Sequence, residues 1–169
     1  WFMGSEGNPY MWDDGDNQDG KRPAEIKVQL YADGTASGEA VTLNEANNWT
    51  YTWSELDKNV AGQAIVYEVD EISVPAGYSK TVEETSTGNF TITNSYVPGK
   101  TSITVEKIWV DGYNQDGKRP AEITVQLYAD GNAKGQPVIL NEDNNWKYTW
   151  TELPLKRNGT AVEYTVDEL

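Results

Sequence analysis

Lys107, Asn94 and the paired Glu71 and Glu168 are the side chains whose types and positions suggest chemistry. In a strand, side chains alternate between two faces. Over 103–109 this groups Lys107 with Ile103, Val105 and Trp109, while Thr104, Glu106 and Ile108 take the other face. Over 90–96 Asn94 shares its face with Phe90, Ile92 and Tyr96, opposite Thr91, Thr93 and Ser95. Glu71 continues the set Ile65, Tyr67 and Val69, as Glu168 continues Val162, Tyr164 and Val166. Each is a polar residue on an apolar face, and buried charges and amides need partners. Taken singly, each has a plain structural reading: an edge-strand lysine that snorkels outward, an Asn at a strand end, a Glu in a solvated turn. Taken together they suggest amide-bond formation. Desolvation strips the charge from a lysine and restores the proton to a carboxyl. A neutral amine beside a carboxamide, with a protonated carboxyl polarising the amide carbonyl, can expel ammonia and leave a Lys–Asn isopeptide bond. The Glu then relays protons and steadies the developing oxyanion.

Composition excludes most other chemistry. The 169 residues contain no His and no Cys. That removes thiolate–imidazole metal sites, Cys nucleophiles and His-based triads. Asp and Glu number 27 against 13 Lys and Arg, a net charge of −14. Such a chain repels phosphate backbones and anionic lipid, so neither nucleic acid nor a membrane is an expected partner. No apolar run is long enough for a membrane helix. No cofactor is expected. The 7 Trp and 10 Tyr carry the aromatic payload of the core, since Phe occurs only twice.

The elements that must position these residues come in two copies. NQDGKRPAEI stands at 17–26 and again at 114–123, and the register continues without a gap. Over 12–72 and 109–169, 40 of 61 positions are identical, which establishes a tandem duplication. The expected domains are 1–97 and 98–169. Segments such as ITVEKIW, IKVQLYA, NWTYTW, AIVYEVDE and NFTITNSY alternate with period two and are rich in Val, Ile, Thr, Tyr and Trp. DG, NG, PAG and PG turns separate them, so each copy reads as an all-β sandwich. The ends differ. The first copy opens with the dissimilar WFMGSEGNPYMWDDG, placing Tyr10 where the second has Lys107, and the second stops at Leu169 before any counterpart of 89–96. A fragment cut from a longer repeat array is expected to end this way.

Two weaker sites are visible. DDGDNQDG at 13–20 offers Asp14, Asp16, Asn17 and Asp19 to a Ca²⁺ ion, but lacks EF-hand spacing, and Tyr113 replaces Asp16 in the second copy. A polar turn is the favoured reading, and no metal is expected. Trp49, Tyr51 and Trp53, with Trp146, Tyr148 and Trp150, form one aromatic face per copy, suited to core packing or to stacking on sugar rings.

The motifs VEKIWVDG, NQDGKRPAEITVQLYADG, NNWKYTW, YEVDE and YTVDE, VPAGY and FTITNSY follow one another in an order that resembles the Cna B-type repeats of Gram-positive surface proteins. The resemblance covers essentially all of 12–169. It implies two tandem Greek-key, inverse-immunoglobulin-like sandwiches used as a stalk or pilin module, cell-wall anchored outside the cell. It implies neighbouring repeats as partners and host matrix reached through other domains. It also implies Lys107 as nucleophile, Asn94 as acceptor, and Glu71 and Glu168 as assisting acids. Neither copy holds a complete set. The first has Glu71 and Asn94 without the lysine; the second has Lys107 and Glu168 without the Asn strand. Lys107 and Asn94 are not expected to pair with each other. Any catalysis is a single turnover on the protein itself. Alternatives are a carbohydrate- or protein-binding module using the aromatic faces, and a strand-complementing module that accepts a strand from another chain.

Overall fold

The computed structural model describes residues 10–169. Two compact units emerge, one built from 10–17 and 21–97, the other from Gln18–Gly20 and Pro98–Leu169. The first contains β1 (Tyr10–Asp13), β2 (Glu25–Ala32), β3 (Thr35–Ala36), β4 (Val41–Asn44), β5 (Asn59–Val60), β6 (Gln63–Ala64), β7 (Tyr67–Glu71), β8 (Ser79–Ser86) and β9 (Asn89–Ser95). Strand β2 pairs antiparallel with β3, β4 and β7. Strand β9 pairs antiparallel with β8 and parallel with β1. Alternation along β2 buries Ile26, Val28 and Leu30, which meet Leu43, Trp49, Val69 and Ile92 in the core. Between β2 and β3, Asp33 and Gly34 both take positive φ, 48° and 75°, as a two-residue hairpin turn requires.

The second unit repeats this plan. It contains β10 (Lys100–Glu106), β11 (Glu122–Ala129), β12 (Asn132–Ala133), β13 (Val138–Asn141), β14 (Lys147–Pro154), β15 (Lys156–Arg157), β16 (Thr160–Ala161) and β17 (Tyr164–Glu168). Strand β11 carries β12, β13 and β17 antiparallel, and β10 pairs with β14. Ile123, Val125 and Leu140 form its core with Val105, Trp109, Trp146, Trp150 and Val166.

One local expectation is corrected. The segment 49–53 reads as a strand in the first copy, yet 50–53 carries none among the described residues, whereas its counterpart lies in β14. The partner of β14 is β10, whose first-copy equivalents lie at 3–9, outside the described residues. Trp49 and Trp146 have φ of 57° and 58°, outside the extended region, and pack on their cores as Trp53 and Trp150 do.

Each unit also pins a hairpin with a buried glutamine. Gln29 Nε2 donates to the carbonyls of Leu30 and Ser37 at 2.8 and 3.2 Å, and Gln126 repeats this with Leu127 and Lys134.

Candidate functional site

In the first unit β7 and β9 bring Glu71 and Asn94 together. Both continue the inward face of their strands, and they are 2 % and 0 % exposed. Asn94 Nδ2 donates to Glu71 Oε1 at 3.3 Å. The alternation argument therefore locates both side chains, and the amide and the acid meet across the core. Tyr10, where the second copy has Lys107, pairs with Ile92 of β9, two residues before Asn94. Its side chain lies outside the described residues.

The second unit assembles the complementary half. Regular strand ends at Glu106, but Lys107 N donates to Trp146 O at 2.8 Å and the alternation runs on, leaving Ile108 exposed and Trp109 packed against the core. Lys107 Nζ donates to Glu168 Oε2 at 2.6 Å and lies 4.7 Å from the centre of the Trp109 ring. Glu168 corresponds to buried Glu71, yet its side chain is 43 % exposed. Among the described residues no strand covers it as β9 covers Glu71.

Sequence reasoning missed Lys80 altogether. Lys80 on β8 stands directly opposite Asn94 in the β8–β9 register. Its amine is ion-paired with the Asp70 carboxylate and donates to the Glu71 carbonyl at 3.2 Å. The signal available was the two-residue period that groups Lys80 with Val82, but nothing local ties it to Asn94 before the register is known.

The acidic loop serves an arginine. Asp14 is 1 % exposed, and the Arg22 fork holds it through NH2 at 2.6 Å and Nε at 3.0 Å. Asn17 N–H and Tyr78 OH complete the shell, each at 2.9 Å. Arg22 lies 5.3 Å from the Trp12 ring centre, and Tyr78 meets the same ring edge-on. Burial pushes the Asp14 carboxyl up, but the hydrogen bonds from Arg22, Asn17 and Tyr78 outweigh it and hold the carboxyl below its usual value. Burial and the adjacent Asp14 push the Tyr78 phenol up. Asp111 and Arg119 repeat the fork at 2.7 and 2.9 Å on a more exposed surface. Asp16 sits in the turn at φ 57°, and Asp19 accepts from Gln18 Nε2 at 3.3 Å. Among the described residues, no three acidic side chains are grouped to hold a metal ion.

The aromatic triplets divide their labour. Trp49 packs edge-on against Trp12 at 5.2 Å, and Trp146 against Trp109 at 5.1 Å. Trp53 and Trp150 also pack on the cores, leaving Tyr51 and Tyr148 about two-fifths exposed.

Comparison with known proteins agrees with this architecture. The collagen adhesin of Staphylococcus aureus is 49 % identical over 157 residues, 93 % of this chain and 13 % of the adhesin. This chain therefore spans only a small part of that relative's length. A crystal structure of two B repeat units of the S. aureus collagen-binding protein is 46 % identical, with a TM-score of 0.86, covering 94 % of this chain and 42 % of that one. The family model for the Cna protein B-type domain matches residues 10–95 and 103–169. The chain belongs to the Cna protein B-type domain family and carries two of its repeats.

Proposed function

We propose that the chain is a stalk or spacer segment of a cell-surface adhesin, with domains at 1–97 and 98–169, of a type stabilised by self-formed Lys–Asn isopeptide bonds. One observation carries the reading. Shifted by the repeat offset, the Lys107–Glu168 contact of the second unit and the Glu71–Asn94 contact of the first share the acid position and add up to the full amine–acid–amide set. The likeness to B repeats of a collagen adhesin supports an extracellular, wall-anchored setting. Neighbouring repeats are the immediate partners, and other domains of the whole protein reach host matrix. Neither nucleic acid nor membrane is a partner of so acidic a chain.

A bond between first and last strands closes a loop of nearly a whole domain. By the chain-entropy argument used for disulfides, that contributes about 4–5 kcal/mol.

The test is the intact mass of the denatured full-length protein beside its Lys107→Arg and Glu168→Gln variants. The expected result is that each variant retains one ammonia more than the parent. Equal deficits in parent and variants would remove Lys107 and Glu168 from the bond-forming set.

A further inference from the structure

The first repeat lacks a lysine at the position matching Lys107, yet its Asn94 is not without an amine nearby. Lys80 and Asn94 face one another across the β8–β9 ladder. Directly opposed residues of an antiparallel pair project to the same side, with Cβ atoms about 4.5–5.5 Å apart. Both side chains then run toward the end of β7. Asn94 Nδ2 reaches the Glu71 carboxylate, and Lys80 Nζ reaches the Glu71 carbonyl at 3.2 Å and the Asp70 carboxylate. The two ends of one residue, Glu71, thus touch the amide and the amine. Lys80 is 20 % exposed, whereas its counter-ion Asp70 is 49 % exposed and open to water.

We propose that Lys80 is the amine of the first repeat and that it forms an isopeptide bond with Asn94, stapling β8 to β9. The inference deepens the isopeptide reading of the family site and rests on it. The Lys80 ammonium leaves the Asp70 carboxylate and gives one proton to water. The neutral Nζ then turns from Asp70 to Asn94, whose Cα lies directly across the ladder, and attacks Cγ. As the Nζ–Cγ bond forms, the Glu71 carboxyl carries a proton from Nζ to Nδ2. The Cγ–Nδ2 bond breaks and ammonia leaves. Nothing is oxidised or reduced, and no co-reactant is consumed. The product ties β9 to its antiparallel neighbour β8, whereas the family resemblance implies a tie from β9 to the first strand, its parallel neighbour.

The test is intact mass of the denatured 169-residue chain, taken after incubation to constant mass, followed by fragmentation of its proteolytic peptides. The expected result is a deficit of one ammonia and a branched peptide joining Lys80 to Asn94. Lys80→Arg keeps the charge beside Asp70 and the donor for the Glu71 carbonyl, so it folds but shows no deficit. A parent mass equal to that of the unmodified chain, or a branch from any other lysine, overturns the proposal. Lys107→Arg in the full-length protein reports on the second repeat alone, so failure at Lys80 is distinguishable from failure of the family reading.

Discussion

Asn94 donates its amide N–H to Glu71 inside the first unit, with both side chains closed to solvent. An amide against a carboxyl in an apolar core is costly when either partner is lost, because the survivor keeps its desolvation penalty. Asn94→Ala is expected to lower unfolding free energy by about 1–3 kcal/mol. Glu71→Gln, which retains an acceptor of the same shape, is expected to cost less. Urea denaturation followed by Trp fluorescence measures both, and an Asn94→Ala midpoint equal to the parent's would contradict the buried contact.

The two Asp–Arg forks offer an internal comparison. Asp14 is buried and shared by Arg22, Asn17 and Tyr78, whereas Asp111 meets Arg119 at a partly open surface. Removing one partner of a buried pair strands the other, so Asp14→Ala should cost about 3 kcal/mol. Asp111→Ala should lower the melting temperature by clearly less. Calorimetry on the two single variants decides the order, and equal losses would defeat the account.

Stability should also depend on pH at both extremes. The Asp14 carboxyl titrates below its usual value in the folded chain, so its contribution is present above about pH 4 and is lost as pH falls through the folded value. Tyr78 behaves oppositely. Its phenol is raised, so stability is intact below about pH 10 and declines as pH climbs toward the folded value. Tyr78→Phe should flatten the alkaline arm of a melting-temperature profile and, by removing one of the hydrogen bonds that lower Asp14, move the acid arm to slightly higher pH. An unchanged alkaline arm would show that Tyr78 is not its source.

Tryptophan accessibility separates a packed stalk from a sugar-binding surface. Trp49 is 6 % exposed, and Trp12, Trp53, Trp109, Trp146 and Trp150 all pack against the two cores. Acrylamide should therefore quench the emission weakly, and unfolding in guanidinium should raise the quenching constant several-fold. Strong quenching of the native chain would favour the binding-module alternative.

Much of this arrangement was legible because strands obey a short rule. Alternation assigns Lys107, Asn94 and Glu71 to their inward faces without reference to any partner, and the repeat carries the Glu71 assignment over to Glu168. The rule failed where the backbone leaves the extended region. Nothing in NNW announces that Trp49 adopts positive φ, since an aromatic residue rarely does. Contacts between distant segments were also hidden. Arg22 and Asp14 are near neighbours in sequence, but Tyr78 joins them across 64 positions, and Lys80 meets Asn94 only once the β8–β9 register is set.

The parallel pairing of β1 with β9 bears on how the first repeat answers a load. Tyr10–Asp13 lies beside 92–95 with both segments running the same way. Tension entering through one and leaving through the other acts along the strands in opposite senses. The ladder is then sheared, and its hydrogen bonds share the force at once. A hairpin pulled at its open end instead peels one bond at a time. By this geometry the repeat resists extension at its ends even where no covalent tie spans them.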